Sequence, residues 1–190
     1  KVTDEVMGYI EECFGNEKWG HNRVKERMAL PEPRGFKEKR VTIKKNDGMQ
    51  SSVKIGMFMP DRMHKDFLDL RVMNTMLGGY FGSRLMKNIR EDKGYTYGIA
   101  SGIVSYPGNS ILVISTETDN GYVEGVISEV KNEIDRMKNE KAAKEELDMV
   151  KNYMIGDICR AYENALSISE AWIYVLTAGV DDDFLDRSVE

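Results

Sequence analysis

Residues 95–106 and 110–118 read as two long strands joined by Pro107-Gly108-Asn109, and no other feature restricts the folding of this chain as much. A turn that short makes its strands antiparallel neighbours. Ile111, Leu112, Val113 and Ile114 run together in the second strand, so burial of both its faces is expected. Two more strand candidates lie upstream. Val41–Lys45 is short and alternates; Ser51–Met59 puts Val53, Ile55, Met57 and Met59 on one face. Asn46-Asp47-Gly48 between them is turn text, so a second hairpin is expected.

Helical spacing fills most of the rest. Residues 3–14 carry Val6, Ile10, Cys13 and Phe14. Pro60-Asp61 starts a helix with Asp61 as N-cap, bearing Met63, Phe67, Leu70, Met73, Asn74 and Leu77 and stopped by Gly78-Gly79. A shorter helix at 83–92 carries Leu85, Met86 and Ile89, and Gly94 closes it. After the N-cap pair Asp119-Asn120 comes a stripe of Val123, Val126, Ile127, Val130, Ile134 and Met137. Two further helices carry Leu147, Val150, Met154 and Ile158, then Ile168, Ala171, Trp172 and Val175. The order α-β-β-α-α-β-β-α-α-α does not alternate strictly. It predicts an α+β fold: a mostly antiparallel sheet of about four or more strands, packed by helices.

Composition narrows the function classes. Apolar residues are 41 % and charged residues 31 %, enough hydrophobe for a core. No apolar run approaches the roughly 20 residues of a membrane span. Two cysteines, Cys13 and Cys159, exclude a disulfide-stapled scaffold. A net charge of −5 argues against nucleic acid as the main partner. Residues 15–35, with Pro31 and Pro33, read as a linker or an extended approach strand. Nine basic and three acidic residues between Arg23 and Lys45 form either a solvated connector or a docking strip. The chain starts at Lys1 and stops in charged, helix-like text, so it reads as a piece of a longer polypeptide. No signal-peptide pattern is visible; the compartment is left open, with a soluble cytoplasmic protein placed ahead of a periplasmic one.

Metal and nucleophile chemistry find little footing. His21 and His64 each lack a second histidine one helical turn away, and the two cysteines are 146 positions apart, so no zinc-ligand spacing exists. No G-x-S-x-G elbow is present, and Ser83 has no histidine nearby. Gly78-Gly79-x-x-Gly82 reads as a helix stop and tight turn, or weakly as a phosphate cradle. Arg90 at a helix end and Tyr97 at a strand start could meet at one point, where both would donate to a carbonyl oxygen gaining charge. The plainer alternative is a surface ion pair of Arg90 with Glu91 or Asp92 and a half-buried tyrosine.

The run Asn74-x-x-Leu77-Gly78-Gly79-x-Phe81-x-Ser83-Arg84-Leu85, followed by Ile89-Arg90-Glu91-x-Lys93-Gly94-x-x-Tyr97, resembles the second α/β domain of the inverted-zinc metallopeptidases. These include insulin-degrading enzyme, pitrilysin and the mitochondrial processing peptidase. The likeness extends back through Gln50-Ser51 and the Val53–Met59 strand and forward to Glu145-Glu146-Leu147 and Lys151, covering roughly Val41 to Arg187. It implies a LuxS-like metallopeptidase clamshell domain at 41–190, truncated at its C-terminus, with residues 1–40 as linker and terminal helix of a preceding domain. It implies no metal here, and zinc in an H-x-x-E-H domain or subunit elsewhere. Arg90 and Tyr97 would face that zinc, hold the substrate backbone and assist the tetrahedral intermediate. Gly78, Gly79, Phe81 and Ser83 fall where the processing peptidase's non-catalytic subunit has its substrate loop. The partners implied are the zinc-bearing half and peptides or unfolded chains; a dimer is left open. This chain alone would not be an enzyme, whereas its parent would be a zinc metalloendopeptidase. The alternative is an inactive structural subunit, like the core proteins of the respiratory cytochrome complex.

Overall fold

The computed structural model describes residues 2–15, 38–106, 108–180 and 184–188. The linker reading of residues 15–35, His21, Pro107 and most of the basic strip thus lie outside the described residues. The chain divides into two units, Lys1–Arg34 and Gly35–Glu190. In the first, α1 (Asp4–Phe14) is capped by the Thr3 hydroxyl, which accepts from the Val6 N–H, and its first turn carries Asp4 and Glu5 against the positive end of the helix dipole. No residue of α1 is buried.

The second unit is built on three strands: β1 (Gln50–Met59), β2 (Thr96–Tyr106) and β3 (Asn109–Asp119). Their order is β1-β3-β2, with both pairs antiparallel. The expected count of four or more strands is therefore corrected to three among the described residues. The missing one is Val41–Lys45. Its turn at Asn46-Asp47 forms, but the arm before it joins no strand among the described residues. Its apolar side chains cover nothing, Val41 being 66 % and Ile43 87 % exposed, so burial does not hold that alternating text in a ladder; β1 pairs with β3, Ile55 opposite Ile114. The LuxS-like label is corrected too: nothing in the fold of the described residues ties it to LuxS.

β3 is central, yet its burial alternates. Ser110, Leu112, Ile114, Thr116 and Thr118 are buried, while Ile111, Val113 and Ser115 on the other face are half-buried. The expectation of two buried faces holds for one only. All described helical packing is on the Leu112 face, and Phe58 and Val104 on the other face remain about half exposed.

Helical segments cover the buried face. α2 (Phe67–Asn74) starts six residues later than the Pro60-Asp61 signal suggests, because the Asp61 carboxylate accepts the Met63 N–H and closes a turn there. It runs into a π-helical turn, Thr75–Gly79, and Tyr80 is extended. A second π-helical segment, Met86–Asp92, ends with Gly94 at φ 65, a left-handed position that glycine takes without strain. A 3₁₀ turn, Asn120–Tyr122, leads into α3 (Val123–Asn139); α4 (Lys144–Arg160), α5 (Ala165–Ala178) and α6 (Phe184–Arg187) follow. The core joins Leu77, Leu85, Met86 and Ile89 to Ile99, Leu112 and Ile114 of the sheet and Val126 and Val130 of α3. Each fully buried Leu, Ile or Val there contributes about 1.5–3 kcal/mol. The two π-helical segments are thus anchored to the sheet, and what they carry at their ends is held in place.

Candidate functional site

The helical segment around residues 84–92 presents two arginines in opposite ways. Arg84 points inward. Its Nε and Nη2 donate to Glu146 Oε1 and Oε2 of α4, both at 2.7 Å. This paired hydrogen bonding holds the Glu146 carboxyl below its usual range and raises Arg84. Burial, helped by the Glu146 charge, pushes the nearby Tyr80 phenol up.

Arg90 points outward to the start of β2, where a bulge sets the geometry. Thr96 pairs with Thr118 but Ile99 with Thr116, so β2 carries one extra residue there. Threonines pin it. Thr96 Oγ1 accepts from the Gly98 N–H at 3.1 Å and lies 2.7 Å from Thr116 Oγ1, which is 2.8 Å from the Gly98 carbonyl. The bulge turns Tyr97 out of the sheet, leaving it 94 % exposed. Arg90 Nε donates to the Tyr97 carbonyl at 2.9 Å, and its Nη1 is 4.0 Å from Glu91 Oε1. Its guanidinium carbon is 4.7 Å from the centre of the Phe81 ring and 5.8 Å from that of Tyr97. A cation is thus held beside two exposed aromatic rings, an arrangement worth about 0.5–1 kcal/mol per contact at a surface. Its Nη2 donors have no partner among the described residues. Tyr95, two residues before Tyr97, stacks on Tyr122 at 4.9 Å.

Three of the six residues singled out, Arg90, Tyr97 and Phe81, therefore come together. Gly78 and Gly79 line, with Phe81 and the Gly98–Ala100 stretch of β2, a shallow groove of about 380 Å³. Gly78 is also needed for packing: a Cβ there would lie 2.6 Å from Ser101 Oγ and 2.8 Å from its backbone nitrogen. Ser83 stands apart. It is 1 % exposed and its Oγ has no hydrogen-bond partner among the described residues, so it faces the interior rather than the groove. Sequence reasoning missed the groove's strand side, Gly98 and Ala100, and gave Arg84 no role; glycine at every fourth position of β2 (Gly98, Gly102) was the only available signal.

The described residues bring no zinc donors to one point. His64 Nδ1 accepts the Asp66 N–H at 3.2 Å, and among the described residues no group of three or more His, Cys, Asp or Glu could hold a metal ion.

A family model described as "Peptidase M16 inactive domain" matches residues 2–154. The chain is 28 % identical over 170 residues to the "Uncharacterized zinc protease YmxG" of Bacillus subtilis, covering 88 % of this chain and 41 % of that protein. It is 27 % identical over 188 residues to the "Probable inactive metalloprotease YmfF" of the same organism, covering 97 % and 40 %. It thus spans about two fifths of the length of these curated relatives. Among solved structures, a peptidase M16 inactive domain from Pseudomonas fluorescens superposes with a TM-score of 0.67 at 24 % identity, over 74 % of this chain and 34 % of that one.

Proposed function

Because the chain belongs to the inactive-domain family of the insulinase- and pitrilysin-type zinc metalloproteases, we propose that it serves its parent assembly as a catalytically inactive, structural half. One observation carries this reading: the motif behind the resemblance is largely consumed by packing. Gly78 makes room for Ser101, Ser83 and Leu85 are interior, and Arg84 is committed to Glu146. The name of YmfF supports the same reading. The domain then acts by shape, lending a rigid wall to a zinc-bearing partner that does the chemistry on peptides. Two results test it. The purified chain with added zinc cleaves no peptide; chelator-sensitive cleavage would overturn the proposal. In the complete zinc-bearing assembly, Arg90→Ala and Tyr97→Phe each leave kcat/KM within about threefold.

A second reading is favoured by the convergence of Arg90, Phe81 and Tyr97. Here the Arg90 Nη groups and the Tyr97 phenol donate to a peptide carbonyl oxygen as it gains negative charge. Both are suited to it: arginine stays protonated, and a tyrosine hydroxyl donates near neutrality. Its signature is the reverse: either substitution lowers kcat/KM about 10²–10³-fold, with zinc content unchanged.

A further inference from the structure

Besides the groove between Phe81 and β2, the second unit contains a larger cavity. It has a volume of about 700 Å³ and opens between α2, the end of β2, α4 and α5. That lies within the roughly 300–1,000 Å³ typical of small-molecule sites. Its apolar wall includes Phe67, Ile103, Ile158 and Phe184. Its polar side is rich in donors. Arg71 lines it with no ion pair or hydrogen bond to its guanidinium among the described residues. Arg62 spends one N–H on the Ser105 carbonyl at 3.2 Å and lies over the Tyr174 ring at 4.8 Å, which leaves its other donors without a partner among the described residues. Tyr162 also borders the space.

Carboxylates are scarce among the described lining residues by contrast. Asp157, the one acid among them, already accepts from Arg160 at 2.7 Å. Asn74 Oδ1, of another lining residue, is buried without a partner among the described residues. Two arginines and one committed carboxylate among the described lining residues, beside an apolar wall, suit a ligand that brings acceptors at one end and hydrocarbon at the other. Guanidinium binds a carboxylate through paired, charge-assisted hydrogen bonds. We infer that this cavity is a binding site for a small amphipathic carboxylate, its head between Arg62 and Arg71 and its apolar body along Phe67, Ile103 and Ile158. Such a group is found at the C-terminus of a short apolar peptide and on a medium-chain fatty acid. The inference does not depend on Arg90 or Tyr97, neither of which lines this cavity.

Calorimetric titration of the purified protein tests it with two carboxylates, N-acetyl-L-phenylalanine and octanoate, and their uncharged counterparts, N-acetyl-L-phenylalaninamide and 1-octanol. At least one carboxylate should bind in the millimolar range or tighter, and its neutral counterpart about tenfold or more weakly. Whichever binds better identifies the peptide-like or the fatty-acid source. Arg71→Met should weaken that binding about tenfold, and Arg71→Lys, which keeps the charge but loses the paired donors, should recover only part of it. Tyr162→Phe, which removes one donor without changing bulk, should weaken it about two- to fivefold and serves should Arg71→Met unfold the chain. Absence of binding by both carboxylates, equal binding of the neutral compounds, or unchanged affinity in the folded variants would overturn the inference.

Discussion

Arg84 and Arg90 lie six residues apart in one helical segment and meet opposite fates. Arg84 is sealed against α4, its side chain 14 % exposed, with two 2.7 Å hydrogen bonds to Glu146. Arg90 reaches the surface, holds the Tyr97 carbonyl with one N–H and leaves donors free beside two exposed rings. Residue type therefore says little about role here; the carboxylate that α4 brings to Arg84 does. The interior arginine joins elements, whereas the outer one is available to something outside the unit.

The largest effect should come from breaking the interior pair. Glu146→Ala takes from the enclosed Arg84 guanidinium the carboxylate bonded to it, and Arg84 Nη1 is already buried without a partner among the described residues. A loss of about 2–4 kcal/mol of unfolding free energy is expected, below the full cost of a wholly buried pair because Glu146 is partly exposed. Chemical denaturation measures it, and a loss no greater than that of Arg90→Ala would erase the contrast. The same pair predicts a pH dependence. Arg84 holds the folded Glu146 pKa below its ordinary 4.5, so the unfolded chain takes up the proton first. The stabilisation is complete above the unfolded value and is lost as pH falls through the folded one. Melting curves of the wild type and Glu146→Gln should differ at neutral pH and converge in acid.

Next in size is Gly78→Ala, which acts on the turn that carries Phe81 toward Arg90. The added carbon meets Ser101 Oγ at 2.6 Å and a backbone nitrogen at 2.8 Å, and backbone cannot step aside easily. Overpacking of this kind costs about 1–3 kcal/mol. Thermal melting reads it. A fully stable Gly78→Ala would mean that the turn is not held against β2 as described.

What the sequence allowed to be read follows from how local each signal is. The β2–β3 hairpin and the α3 stripe were legible because turn text and three- and four-residue spacing are properties of neighbouring residues. Val41–Lys45 misled because alternation shows that a strand could form and not that a partner exists. The late start of α2 was hidden because Asp61 can cap a helix or close a turn, and only the Met63 N–H at 3.1 Å distinguishes them. At the site, the seven-residue step from Arg90 to Tyr97 was visible. The bulge that aims Tyr97 was not, since it is a mismatch in count between two strands. The burial of Ser83 was equally out of reach: it depends on Leu85 and Ile89 pulling the segment onto the sheet.

The smallest expected effects on stability belong to the outer arginine and its tyrosine, and they separate the two sides of the comparison most sharply. Tyr97 is 94 % exposed, and the contact Arg90 makes with it is to its carbonyl, which any residue at that position supplies. Tyr97→Phe should therefore change stability by less than about 0.5 kcal/mol. Tyr97→Ala removes the more distant of the two rings beside Arg90 and should cost only about 0.5–1 kcal/mol more. Arg90→Ala removes both ring contacts and one hydrogen bond at the surface, so about 1–1.5 kcal/mol is expected, still below the loss at Glu146. Urea midpoints of these three variants rank them directly. A large loss in Tyr97→Phe would mean that the phenol is tied into the fold, which would remove it from the residues free to meet a peptide.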